Sequence, residues 1–173
     1  MVHVSTWDTV VLAFATTAAI ADLCWRKIPR VLTVTGLVTG LAFHLWHGGL
    51  RAFLIAVLAA VLGFIVGIAL FRLGAIGGGD VKLIVAMGAM LSLEAWIVAM
   101  EAAILAAGAI ALIQAVRHGR LRQTLRNTGE ILHGLGSRGL QPHPVINVSN
   151  PAMLRAPFGV AVAIGTVLAV VRL

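Results

Sequence analysis

Charge is scarce in this chain. Only 11% of its 173 residues are Asp, Glu, Lys or Arg, while 60% are hydrophobic, against roughly a quarter charged in ordinary soluble domains. A soluble domain is excluded on that ground, and an integral membrane protein is indicated. Cysteine is scarcer still. The lone Cys24 excludes a disulfide framework and a cysteine-based zinc site, and it leaves the redox compartment unreadable. Long polar stretches are also few. A membrane-spanning helix needs about 20 mostly apolar residues, so a handful of crossings would use most of the chain and leave no room for a second domain of normal size. The expectation is a single membrane-embedded domain over 1–173, an all-α polytopic bundle. Thirteen Lys and Arg face only six Asp and Glu. In a chain this apolar the excess records membrane topology rather than nucleic-acid binding.

The apolar runs number six: 9–23, 31–46, 52–71, 81–93, 95–116 and 156–171. The first contains no basic residue, unlike the front end of a cleaved signal peptide, and is read as a span. The third carries no charge from Ala52 to Phe71 and is long enough to cross by itself. The fourth, Val81 to Leu93, is short for a crossing. Six crossings put both termini on one side. The connections between runs one and two, three and four, and five and six then hold eleven of the thirteen basic residues, leaving Arg51 and Arg172 for the other face. Positive residues favour the cytoplasm, so those three connections are expected inside and both termini outside. Trp7, Trp25, Trp46 and Trp96 fall near run ends, as interfacial indoles do. Gly36 with Gly40, and Gly63 with Gly67, have the spacing that lets helix backbones approach in lipid, here read as packing within the bundle. In the basic segment 117–155, Leu121, Leu125, Leu132 and Leu135 recur at helical spacing, with Arg122, Arg126, Glu130 and His133 on other faces. This predicts a short helix lying on the membrane surface, before Pro142, Pro144 and Pro151 interrupt regular structure. No internal repeat is evident.

Two of the six acidic residues share a membrane level in this layout, Asp22 closing the first run and Asp80 opening the fourth. A carboxylate near hydrocarbon is costly and marks a functional candidate whose partner should be named; these two name each other. Neighbouring carboxyls repel, so that one carries a proton while the other is ionised. Such a pair can activate water on a peptide carbonyl, one member taking the proton of the attacking water and the other polarising the carbonyl, with no metal or cofactor. Blander readings stand beside this one. Asp22 is four residues before Arg26, the spacing of a helix ion pair, and Asp80 can simply cap a helix N-terminus. The run Gly77-Gly78-Gly79 argues for more than a cap. Glycine is costly there, whereas a site that brings a peptide backbone to a carboxylate has reason to lack side chains. It is not a phosphate loop, since no Gly-Lys-Ser/Thr follows and no strand precedes.

Gly77-Gly78-Gly79-Asp80-Val81-Lys82-Leu83 resembles the G-x-G-D segment of the type IV prepilin peptidases, membrane aspartic proteases that remove prepilin leaders. Asp22-Leu-Cys-Trp-Arg26-Lys-Ile28-Pro29 is similar to the first aspartate segment of that family, and Pro157-Phe158-Gly159 to the opening of its last span. The three segments fall in the family's order. The resemblance implies that Asp22 and Asp80 are the catalytic pair, that Gly77, Gly78, Gly79 and Lys82 support the site, and that the substrate is a prepilin or pseudopilin at the cytoplasmic face of a bacterial inner membrane. Arg30 stands where the family usually has Asn. The paired cysteines and added length of members that also N-methylate the product are missing, so the chain resembles the short, peptidase-only branch associated with tight-adherence or Flp pili.

Lys82 also fits a plain positive-inside residue. Glu101, inside run five and far from the aspartates, is expected to have a packing or hydrogen-bonding role. His118, His133 and His143 match no compact metal motif, and no metal site is assigned. A small proton- or cation-coupled transporter using the same carboxylates is the alternative, but transport sites tend to lie at the midplane between repeated halves. A non-enzymatic scaffold would need neither aspartate.

Overall fold

A computed structural model describes residues 5–138 and 157–172, the side chains of 131–138 excepted. Among the described residues all regular structure is helical: α1 Thr6–Trp25, α2 Arg30–Arg72, α3 Gly78–Met90, α4 Leu93–Arg117, α5 Leu121–Arg138 and α6 Phe158–Arg172. Three of these, α1, α2 and α4, are long and apolar enough to cross a membrane, and α6 is a shorter apolar helix. The expectations on Pro142, Pro144, Pro151 and His143 lie outside the described residues.

Local sequence accounts for the helix starts. Ser5 caps α1, accepting the Asp8 N–H while the Asp8 carboxylate accepts the Ser5 N–H, a reciprocal capping box. Ser92 caps α4 by accepting the Ala95 N–H. Only Leu91 and Ser92 separate α3 from α4, and three residues, including the left-handed Gly119, separate α4 from α5.

α2 is two helices joined at Gly49, whose backbone (φ 65°, ψ −165°) is not helical. The two arms run antiparallel. A Cβ on Gly40 would meet Ala89 at the end of α3, and one on Gly88 would meet Ala59. A straight helix would hold residues 40 and 59 about 28 Å apart, so the chain must reverse between them. Gly49 can take the left-handed conformation that the reversal needs. The second and third apolar runs of the sequence are these two arms.

Packing is inside out compared with a soluble protein. The interior is mostly alanine and glycine with a few larger residues, Leu83, Met87, Met90, Val11 and Val162 among them, whereas Val34, Val38, Leu54, Ile65 and Leu105 face outward and are more than half exposed. That distribution suits a lipid surround, where close backbone approach drives helix association. Gly36 and Gly40 pack on Phe14, Ala89 and Met90, and Gly63 and Gly67 on Ile84, Trp96 and Val81. Both pairs therefore serve the bundle itself. α3 lies chiefly against α2, and α6 chiefly against α4 and α1, with thinner contacts joining the two groups.

One expectation about the tryptophans is corrected. Trp25 and Trp46 are exposed, as interfacial residues should be, but Trp96 is buried and its indole N–H donates to the Ile84 carbonyl. Trp7 likewise donates to the Met90 carbonyl at 2.9 Å and stacks on Phe43. Both indoles tie their helices to α3, satisfying an indole N–H that the apolar core would otherwise strand.

Candidate active site

Asp22 and Asp80 come together at one end of the bundle, where α1 finishes and where α3 and α6 begin. Asp22 occupies the last turn of α1 and is buried. Its Oδ2 accepts the backbone N–H of Gly159, in the first turn of α6, at 2.8 Å. Asp80 occupies the first turn of α3 and is half-buried. Its Oδ2 accepts the N–H of Gly77, also at 2.8 Å. Each carboxylate is therefore held through one oxygen by a glycine N–H.

The blander readings divide. Asp80 does cap α3, reaching back to the N-cap residue Gly77, so capping and a place in the carboxylate pair coexist in one side chain. Asp22 makes no ion pair with Arg26 among the described residues; Arg26 is exposed, in a left-handed conformation, and its backbone N–H closes α1 on the Asp22 carbonyl. An i,i+4 ion pair is present among the described residues between Arg126 and Glu130, on exposed α5.

The glycine run is not demanded by the backbone, since none of Gly77, Gly78 and Gly79 has positive φ. Packing bears most on the first. A Cβ on Gly77 would stand 3.3 Å from Asp80 Oδ2, tighter than ordinary contact. On Gly78 it would meet only Phe71, at 3.9 Å, and on Gly79 it would sit at ordinary distance from Ile28 in the connection between α1 and α2. Beside the pair, then, Gly78 leaves exposed backbone that the fold itself does not require, while Gly79 packs on Ile28.

Lys82 is exposed and forms no ion pair with Asp80 among the described residues, which favours the reading of Lys82 as one more basic residue at this end. Glu101 is exposed on α4 and makes no hydrogen bond or ion pair among the described residues, so the packing or hydrogen-bonding role expected of it is not seen there. Gly159 was visible in the sequence only through the Pro157-Phe158-Gly159 triplet, and nothing local to that triplet says that its N–H meets a carboxylate from the first helix.

A family model described as the type IV leader peptidase family matches residues 9–112 of the chain, a stretch that includes both aspartates. No curated protein matches, and no solved structure matches.

Proposed function

The chain belongs to the type IV leader peptidase family, and from that premise we propose that it is an aspartic endopeptidase whose catalytic groups are Asp22 and Asp80. The observation that supports this reading best is the meeting of the two carboxylates at one end of the bundle, each bonded among the described residues through Oδ2 to a glycine N–H, which leaves Oδ1 for chemistry. In the reaction the ionised carboxyl takes a proton from a water as that water attacks the scissile carbonyl. The protonated carboxyl donates a hydrogen bond to the carbonyl oxygen, and a proton is then delivered to the departing amine. Water is consumed, the C–N bond breaks, and the pair returns to its starting state with one shared proton. Gly78 leaves the backbone beside Asp80 open to an extended peptide.

The substrate in this reading is a prepilin or pseudopilin with a basic leader, held with its apolar helix in the membrane. Arg26, Lys27, Arg30, Arg72 and Arg117 are exposed at the end of the bundle that carries the aspartates, and the positive-inside tendency puts that end in the cytoplasm. The chain then crosses a bacterial inner membrane six times, counting the two arms of α2 separately, with both termini outside. A basic substrate leader would be repelled by Arg120, Arg122 and Arg126, so the amphipathic α5 is assigned to anionic lipid instead.

Purified full-length protein mixed with a prepilin should release the leader without added metal. Loss of cleavage in a chelator, restored by one specific metal, would overturn the aspartic mechanism.

A further inference from the structure

Gly159 lies outside the stretch matched by the family model, yet it is the residue that holds Asp22. α6 starts at Phe158, so the Gly159 N–H belongs to a first turn, where amide hydrogens have no intrahelical acceptor and carry the positive end of the helix dipole. It donates to Asp22 Oδ2 at 2.8 Å in a buried setting, the length of a charge-assisted bond. α1 cannot supply such a donor itself. Asp22 sits in its last turn, where carbonyls rather than amides lack partners.

The approach is also as close as the backbone permits. A Cβ at residue 159 would stand 2.9 Å from Asp22 Cβ, 3.1 Å from the Ala18 carbonyl oxygen and 3.2 Å from Asp22 Oδ2. The first two neighbours belong to the α1 framework and cannot rotate away. Any side chain at 159 must therefore displace either the start of α6 or the carboxylate.

We infer that the first turn of α6 is the positioning element for Asp22: Gly159 fixes Oδ2 through its N–H and, by lacking a side chain, lets the carboxylate sit where Oδ1 serves the attacking water. Gly159 is a positioning residue, acting only through Asp22. The inference rests on the peptidase reading of the Asp22 and Asp80 pair.

Two measurements on the full-length protein test it. The first compares Gly159→Ala with Gly165→Ala, a control one to two turns along α6 whose new Cβ would collide with the Ala99 carbonyl in α4, away from the aspartates. For Gly159→Ala, kcat per folded molecule for prepilin cleavage should fall about ten- to hundred-fold, the scale of a misplaced catalytic group, with KM little changed and the thermal midpoint lowered no more than by Gly165→Ala, whose clash is the closer one. Gly165→Ala should lower the midpoint and leave kcat per folded molecule unchanged. If Gly159→Ala instead lowered the midpoint and kept its kcat, the residue would be structural and the inference overturned. The second measurement follows the amide proton of Gly159 by NMR in [15N]glycine-labelled protein. Asp22→Ala should move it upfield, with a far smaller effect on Gly77, which bonds to Asp80. An unmoved Gly159 resonance would overturn the inference. This second readout does not depend on turnover, so wild-type protein that failed to cleave a prepilin would count against the peptidase reading while the positioning bond was still decided.

Discussion

Because Asp22 and Asp80 each accept a glycine N–H through Oδ2, asparagine at either position can keep that bond through its own side-chain oxygen. What it loses is the capacity to take up and give back a proton. Asp22→Asn and Asp80→Asn should each remain folded in detergent, by circular dichroism and gel filtration. Each should also lose leader cleavage by at least about 10²- to 10⁴-fold, the usual contribution of a positioned acid or base. Near-normal turnover in a well-expressed Asp22→Asn protein would end the paired-carboxylate reading. Glu101→Gln, on the outward face of α4, should be far milder. Gly78→Ala separates fold from site in the other direction. Its Cβ meets nothing nearer than 3.9 Å, so thermal stability should hold, while cleavage should fall if a peptide backbone lies over that residue. A Gly78→Ala protein with unchanged kcat/KM would remove the glycine run from the site.

Among the elements, α3 is unusual. At 13 residues it is about 20 Å long, against a hydrocarbon core of about 30 Å. A lipid-facing helix of that length would leave backbone groups stranded in hydrocarbon. α3 escapes because it is an interior helix: Val81, Leu83, Ile84 and all of Ala86 to Met90 are buried, and its last carbonyl accepts the Trp7 indole N–H. Glycine is what brings it so close to its neighbours. Gly88→Ala would put a Cβ 2.8 Å from the Ala59 carbonyl oxygen, and the overpacking should cost about 1–3 kcal/mol, read as a lower thermal midpoint. Gly108→Ala, with nothing within 4 Å, should be neutral or should stabilise α4 by up to about 1 kcal/mol. α5 presents the opposite case. Leu121 and Leu125 are exposed, and among the described residues the helix touches only the end of α4. A fluorophore at position 125 should be quenched by lipid-borne quenchers more strongly in phosphatidylglycerol-containing nanodiscs than in phosphatidylcholine alone. Arg122→Glu with Arg126→Glu should erase the difference; equal quenching in both lipids would detach α5 from the membrane surface.

For the molecule as a whole, the two carboxylates belong to different packing groups. Asp22 is held by α1 and α6, Asp80 by α3 against α2, and the groups meet along thinner contacts. The site therefore depends on both groups presenting the same end to the same compartment. Cysteine labelling in a Cys24→Ser background can test that arrangement. Gly48 and Gly74 are poor positions for it, since a Cβ at 48 would clash with Ala52 and Gly74 has φ 72°. The neighbouring exposed residues His47 and Ala75 avoid both problems. Positions 47 and 94 should label from outside, and positions 75 and 137 from inside only. Labelling of position 94 from the cytoplasm would mean that α3 re-enters rather than crosses, and the placement of the aspartates at the inner face would fail.

The sequence alone determined the helices. Uninterrupted apolar runs with almost no charge can satisfy their backbone in lipid only as helices, so the runs at 9–23, 81–93 and 95–116 reappear as α1, α3 and α4 with ends shifted by a few residues. The short Gly48-Gly49 connection between the second and third runs reappears as the reversal inside α2. The sequence also singled out Asp22 and Asp80, because an ionisable residue at a hydrophobic boundary is too costly to be idle. Tertiary structure decided which groups surround them. Trp96 reads as interfacial by position along its run, but the direction in which a helix faces its neighbours puts it in the core. No local pattern reports that the N–H of Gly159 reaches a carboxylate in the first helix, since hydrogen bonds between distant segments are fixed by how helices pack and not by the spacing of residues along any one of them.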